Sequence, residues 1–173
     1  MDPDLLEILR FAKEIGYFVF LDTNGSRPDV VDRILREESV DVVGLSIKGI
    51  DRESAMEATG VSPDLCWTSP LHTLRLASDS DIVLLVTYVC NENTSLSDLS
   101  RLSDLVPRKD NVFLKFNNLM DDRSDIEKAR PLPQQEFDML VDSFVSKHPE
   151  LAGHIIRISD SSCVTDRDRI GFS

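Results

Sequence analysis

Ile82-Val83-Leu84-Leu85-Val86-Thr87-Tyr88-Val89-Cys90 is the most continuous apolar run in the chain. A strand with one face in water alternates apolar and polar residues, whereas an unbroken run of β-formers needs cover on both faces. The run therefore predicts a strand buried on both sides, the kind found in parallel sheets sheathed by helices. Its most apolar part, Ile82 to Val86, falls far short of the ~20 residues a membrane-spanning helix needs.

Outward from this run, short apolar strands alternate with segments of helical period. Pro3 to Ile15 sets Leu5, Leu6, Ile8, Leu9 and Ala12 on one helix face, with Pro3 at a first helical position and Gly16 as the stop. Tyr17 to Leu21 follows as a strand. Ser26 is the expected N-cap of a helix with Pro28 and Asp29 in its first turn, reaching about Glu38. Val40 to Ile47 is a second strand, and Asp51 caps a short helix through Ala58. Gly60 to Ser69 is less regular and leads into a helix from about Pro70 to Ala77. Beyond the central run, Ser95 and Asp98 have the spacing of a capping box for a helix to about Leu105. Val112 to Phe116 is a fourth strand and Asp121 to Arg130 a charged loop. Pro133 starts an amphipathic helix to about Lys147, and His154 to Ile158 is a fifth strand. The polar stretch 159–173 is expected to fray.

Strict alternation of this kind implies an α/β fold: a parallel sheet of about five strands, flanking helices and right-handed crossovers. Such a sheet fits either a doubly wound fold or part of a (βα) barrel. With no internal repeat, low-complexity tract or linker, residues 1–173 are expected to form a single domain.

Composition narrows the function classes. The 173 residues are 41% hydrophobic, enough for an ordinary core. Thirty-one acidic residues against 19 basic give a net charge of −12, which repels a nucleic-acid backbone or an anionic membrane. The acidic start Met1-Asp2-Pro3-Asp4, followed by helix-spaced apolar residues, is unlike a signal peptide. Cys66, Cys90 and Cys163 are odd in number and widely spaced, which predicts reduced thiols in a cytoplasmic protein. There is no Cys-x₂-Cys, and His72, His148 and His154 follow no ligand spacing. A metal site carried wholly by this chain is not expected.

In parallel α/β folds, ligands bind beyond the carboxyl ends of the strands. Those ends carry Asp22-Thr23-Asn24-Gly25, Ser46-Ile47-Lys48, Tyr88-Val89-Cys90-Asn91-Glu92-Asn93 and Lys115-Phe116-Asn117-Asn118. A rim with a carboxylate, an amine, a hydroxyl and several amides suits a small polar zwitterion. Asp22 would hold its ammonium and Lys48 its carboxylate. The structural alternatives are plain: Asn24-Gly25 is a common turn dipeptide, Asp22 can satisfy loop amides, and Asn117-Asn118 is turn-like. Lys48 beside a buried strand must be exposed, paired or functional. Asp121, Asp122 and Asp125 fit a solvated loop better than a cation site, and Cys66 has no basic neighbour in sequence to activate it.

Three segments resemble the pyruvate formate-lyase activating enzyme branch of the radical S-adenosylmethionine (SAM) superfamily. They are Phe20-Leu21-Asp22-Thr23-Asn24-Gly25, Val40-Asp41-Val42-Val43-Gly44-Leu45-Ser46-Ile47-Lys48 and Ala58-Thr59-Gly60-Val61-Ser62. Order and spacing match that branch, as do Val86-Thr87-Tyr88-Val89 and the closing helix after a Pro-rich turn. The resemblance spans nearly the whole chain and implies part of a (βα)₆ barrel. It implies SAM across the strand ends, with Asp22, Thr23 and Asn24 near the methionine ammonium or a monovalent cation, Lys48 near the methionine carboxylate, and Asn118 on the same rim.

The departures from the family are equally specific. Its Cys-x₃-Cys-x₂-Cys loop, which binds a [4Fe–4S] cluster, and its Gly-Gly-Glu strand are missing from this sequence. The match begins at the helix before the third barrel strand. The family's acidic residue two before the lysine is Ser46 here, a basic residue on the next strand is Thr87, and a histidine frequent after the sixth strand is matched by Asn118.

The resemblance thus implies the carboxyl-terminal portion of an activating enzyme. The whole enzyme cleaves SAM reductively and abstracts hydrogen from a glycyl backbone or another substrate, with a protein substrate as an implied partner; this portion alone is expected to be inactive. An interaction module or degenerate relative is the alternative, and a Schiff-base lyase using Lys48 is the third reading. A barrel lacking two strands is expected to cover its edges with a complementing amino-terminal half or a second copy of itself.

Overall fold

A computed structural model describes residues 4–119 and 129–158. Pro3, most of the 121–130 loop with Asp121, Asp122 and Asp125, the 159–173 tail and Cys163 lie outside them. Five strands carry the fold: β1 (Phe20–Thr23), β2 (Val42–Ile47), β3 (Val83–Cys90), β4 (Val112–Asn118) and β5 (Ile155–Ile158). Between them run α1 (Leu5–Glu14), α2 (Pro28–Arg36), α3 (Arg52–Thr59), α4 (Ser69–Ser78), α5 (Leu96–Leu105) and α6 (Gln134–Lys147). A π-helical turn, Asp64–Thr68, precedes α4, and a 3₁₀ turn, Pro149–His154, precedes β5.

The sheet is parallel and its order is β1-β2-β3-β4-β5, the order of the strands in sequence. A doubly wound sheet reverses direction at a switch point, whereas this order never reverses. It is the winding of part of a (βα) barrel. Of the two arrangements that strand alternation left open, the topology selects this one.

The chain divides into two compact units, Met1–Val86 with Val106–Val112 and Thr87–Leu105 with Phe113–Ser173. In the first, the β1–β2 register sets Asp22 opposite Gly44 and Thr23 opposite Leu45. Val43, Leu45, Ile34, Leu74 and Ala77 are almost fully buried there. In the second, Phe116, Phe137, Val141 and Phe144 have no exposed surface, and the Phe116 and Phe144 rings meet edge to face at 5.3 Å.

Local chemistry sets the element ends. Asp51 caps α3 reciprocally with Ser54, and Gly60 ends the helix at φ +69°. Ser95 Oγ accepts from the Asp98 N–H while Asp98 accepts from the Ser95 N–H, the capping box expected from their spacing. Three expectations shift. The N-cap position of α2 falls on Arg27, because the Ser26 N–H is drawn to Asn24 Oδ1 at 3.0 Å. The first strand begins at Phe20 rather than Tyr17, since Val19 is anchored by Asp41 and Tyr17 and Phe18 stay in solvent. Ile8 does not share the buried face of α1.

Asp41 fastens α1 to the start of β2. It accepts from Lys13 Nζ at 2.5 Å and from the Val19 N–H at 2.7 Å. Burial pushes this carboxyl up, but the bonds from Lys13 and Val19 outweigh it and hold it below the ordinary value. A depressed carboxyl contributes stability above its unfolded pKa and loses it as pH falls through the folded one. Asp41→Asn is therefore expected to cost about 1–2 kcal/mol near neutral pH. In urea titrations the gap from wild type should narrow as pH drops from about 6 toward about 3. A gap independent of pH would dismiss the ionic contribution.

Candidate functional site

In the first unit the carboxyl ends of β1 and β2 bring Asp22, Thr23, Asn24, Ser46 and Lys48 to one end of the sheet. The β1–β2 loop is held by its own polar side chains. Thr23 Oγ1 accepts the Gly25 N–H at 3.1 Å, and Asn24 Oδ1 accepts the Ser26 N–H. Gly25, at φ +71°, passes its carbonyl to the buried Thr73 hydroxyl at 2.9 Å. A Cβ at Gly25 would lie 2.6 Å from Leu45 Cδ1 and 3.0 Å from Pro70 Cα, so only glycine lets the loop seat on the start of α4. Thr23 and Asn24 are thus engaged in the turn through one acceptor each, with the Thr23 hydroxyl hydrogen and the Asn24 amide hydrogens left over.

Asp22 and Lys48 are not. Both are exposed, and neither has a hydrogen-bond or ion-pair partner among the described residues. Strand alternation sets Phe20 and Asp22 on the same sheet face as their partners Val42 and Gly44, and Ser46 follows on that face. Lys48 continues the alternation just past the end of β2. Gly44 makes the room. A Cβ there would stand 2.8 Å from the Phe20 ring and 3.2 Å from Asp22 Oδ1. Phe20, itself 45% exposed, lies across the glycine and leaves an apolar surface beside the carboxylate. Sequence reasoning did not single out Phe20 or Gly44, although a lone glycine inside an apolar strand signals close approach by another group.

The second unit holds the remaining rim residues. Asn118 is engaged at both ends of its amide: Nδ2 donates to the Leu132 carbonyl at 2.7 Å and Oδ1 accepts the Leu132 N–H at 3.1 Å. It clamps the chain that returns toward α6. Its neighbour Asn117 carries the opposite signature, a buried Oδ1 with no hydrogen-bond partner. A buried orphan acceptor invites a donor from a ligand or water. The turn-like pair therefore splits into a structural Asn118 and an unsatisfied Asn117, a division that sequence could not make.

The two described thiols offer no cluster site. Cys66 and Cys90 are buried and free, and burial pushes the Cys90 thiol up to about 12, away from the thiolate that iron ligation needs. Among the described residues no group of three or more His, Cys, Asp or Glu side chains is placed to hold a metal ion. No described helix is long and apolar enough to cross a membrane.

No protein-family model matches the chain. Over 44 residues, 25% of its length, it is 39% identical to a protein of Methanocaldococcus jannaschii assigned as a glycyl-radical enzyme activating enzyme, and that alignment takes in 18% of the relative. Among solved structures it is similar to a domain of pyruvate-formate lyase-activating enzyme from Bacteroides vulgatus, at TM-score 0.66 and 12% identity, covering 90% of this chain and 89% of that one. It is similar to a radical SAM methyltransferase from Sphaerobacter thermophilus, at 0.60 and 12% identity, over 80% of this chain and 39% of that one. It is also similar to Streptococcus suis SuiB bound to S-adenosylmethionine, at 0.68 and 12% identity, over 94% of this chain and 37% of that one. The chain thus spans well under half of the two longer structures. In fold it matches part of the radical SAM scaffold, and over a quarter of its sequence it is similar to a glycyl-radical enzyme activating enzyme.

Proposed function

We propose that this chain supplies the carboxyl-terminal part of an S-adenosylmethionine site in a radical SAM activating enzyme of cytoplasmic setting, and that it does not catalyse alone. The observation that carries this is the pair Asp22 and Lys48. They are opposite charges without partners among the described residues, at adjoining strand ends, with the Phe20 ring lying across Gly44 beside Asp22. Their place sets them apart, since they stand at the carboxyl ends of parallel strands, where ligands bind in such folds. Two unpartnered opposite charges at one sheet end match the two charged ends of an amino acid moiety.

The residues fit SAM and do not fit the cluster. Asp22 would hold the methionine ammonium and Lys48 the carboxylate, each through charge-assisted hydrogen bonds. SAM supplies an electrophilic sulfonium centre; the thiolates that hold an iron–sulfur cluster in the family must come from elsewhere. This chain's residues bind and orient the methionine end, Lys48 supplying the positive charge for its carboxylate in a chain whose net charge is −12.

Calorimetric titration with SAM tests the assignment. Wild type should release or absorb measurable heat. Asp22→Ala and Lys48→Ala should each weaken Kd at least about tenfold, equivalent to ~1.4 kcal/mol. Wild-type affinity in both variants, or no heat from a folded sample with or without a complementing half, would discard the assignment.

A further inference from the structure

A serine inside a helix commonly satisfies its hydroxyl on the carbonyl one turn back. Ser143 and Ser146 of α6 do this on Met139 and Asp142. Ser100 of α5 begins in the same way, donating to the Leu96 carbonyl at 3.0 Å, but two further groups converge on its oxygen. His148 Nε2 lies 3.1 Å from Ser100 Oγ, and Lys147 Nζ donates to the same oxygen at 3.1 Å. Beyond the imidazole, the Glu150 carboxylate stands 3.6 Å from His148 Nδ1. A hydroxyl, a base within hydrogen-bond reach and a third group on the far nitrogen of that base are the arrangement that activates a serine. All four residues belong to the second unit.

Local structure fixes the base. His148 ends α6 with its N–H on the Phe144 carbonyl, and Glu150 follows in the 3₁₀ turn that Pro149 opens. The imidazole packs on the Phe144 ring with centroids 4.8 Å apart, and its side chain is only 15% exposed. With a carboxylate facing Nδ1, the hydrogen of the neutral ring belongs on Nδ1, which leaves the Nε2 lone pair toward Ser100. The Lys147 ammonium sets positive charge where an oxyanion would develop. An open groove of about 660 Å³ adjoins the hydroxyl, since its lining includes Leu96 and Lys147, the two residues that also bond Ser100. Met139, 60% exposed, joins Leu96 as the apolar part of that lining.

We propose that Ser100, His148 and Lys147 form an acyl-transfer site for small carboxylic esters with an apolar acyl group, and that Glu150 positions the base. Ser100 Oγ bonds to the ester carbonyl carbon while its proton passes to His148 Nε2, and Lys147 stabilises the oxyanion. Collapse breaks the bond from that carbon to the alkoxy oxygen, and the proton on His148 leaves with the alcohol. Water, deprotonated at the same Nε2, then attacks the acyl-serine. The carboxylic acid departs as the proton returns to Ser100. The site shares no residue with the Asp22 and Lys48 pair and uses no SAM, so either reading can fail alone.

The test follows p-nitrophenol release from p-nitrophenyl butyrate by the full 173-residue chain. Wild type should exceed the rate of free imidazole at equal concentration, and a fluorophosphonate probe should label Ser100, as located by peptide mass spectrometry. Ser100→Ala should lower kcat/KM at least about a hundredfold, and so should His148→Gln, with circular dichroism reporting whether each is folded. If His148→Gln does not fold, Ser100→Ala decides alone. Glu150→Gln should lower kcat at least about tenfold while KM stays unchanged, a split that a merely structural role would not produce. A wild-type rate no higher than that of imidazole would overturn the proposal. So would activity that survives Ser100→Ala, or an acyl or phosphonyl group found on Lys147 in place of Ser100.

Discussion

Gly49→Ala is expected to lower stability by about 2–3 kcal/mol and the thermal midpoint by roughly 5–10 °C. The added Cβ would stand 2.3 Å from the Ala55 backbone nitrogen, 2.7 Å from Ala55 Cα and 2.7 Å from Ser54 Oγ. Backbone atoms of a helical turn cannot step aside as a side-chain tip can. Ser54 Oγ also accepts the Ile50 and Asp51 N–H groups and donates to Asp51, so the clash falls on the bonds that start α3. Lys48 precedes this contact, and a shifted Gly49 moves the lysine with it. Under the proposed SAM assignment, the titration should weaken alongside the melt. Gly153→Ala is the control, because a Cβ there meets nothing within 4 Å. Equal midpoints for Gly49→Ala and Gly153→Ala would refute the close-approach argument.

Phe144→Ala is expected to cost more, about 3–5 kcal/mol, as the loss of a fully buried aromatic does. Its ring has no exposed surface, meets Phe116 edge to face at 5.3 Å and stacks at 4.8 Å on His148. The second contact spreads the damage. His148 Nε2 lies 3.1 Å from Ser100 Oγ, so a displaced imidazole loosens a polar link between α5 and the end of α6. Against a typical domain stability of about 5–15 kcal/mol this consumes a large fraction. Urea unfolding should show a lower midpoint with an unchanged slope, and Phe144→Leu should recover most of the loss. A midpoint within about 0.2 M of wild type would contradict the burial.

What sequence could deliver is set by how local the cause is. The runs of β-formers at Val40–Ile47, Ile82–Cys90 and Val112–Phe116 all hold strands, buried on both faces at Val42–Leu45 and Leu84–Val86 and with alternating burial in β4. Asp51 and Ser95 marked helix starts because capping needs only residues three apart. Tyr17 and Phe18 have β-former chemistry and suggest an earlier start for the first strand, whereas the distant Asp41 decides where the backbone enters the sheet. Period alone groups Ile8 with the buried face of α1, although the helix has two apolar stripes and Ile8 lies on the exposed one.

The site shows the same limit. Asp22 and Lys48 were legible as opposite charges at strand ends. That Thr23 and Asn24 each lend an acceptor to their own turn depends on side-chain direction. That Asn118 is satisfied while Asn117 keeps a buried orphan depends on a loop fourteen residues away.

A sheet whose spatial order equals its chain order has a consequence for divisibility. No crossover in such a sheet jumps past a neighbour, so a break between two consecutive βα units severs one covalent link and no threading. Each unit brings its own strand end, and with it its own share of any ligand gathered at that end. A scaffold wound in this way can be inherited, exchanged or reassembled in pieces, with binding capacity partitioned among them.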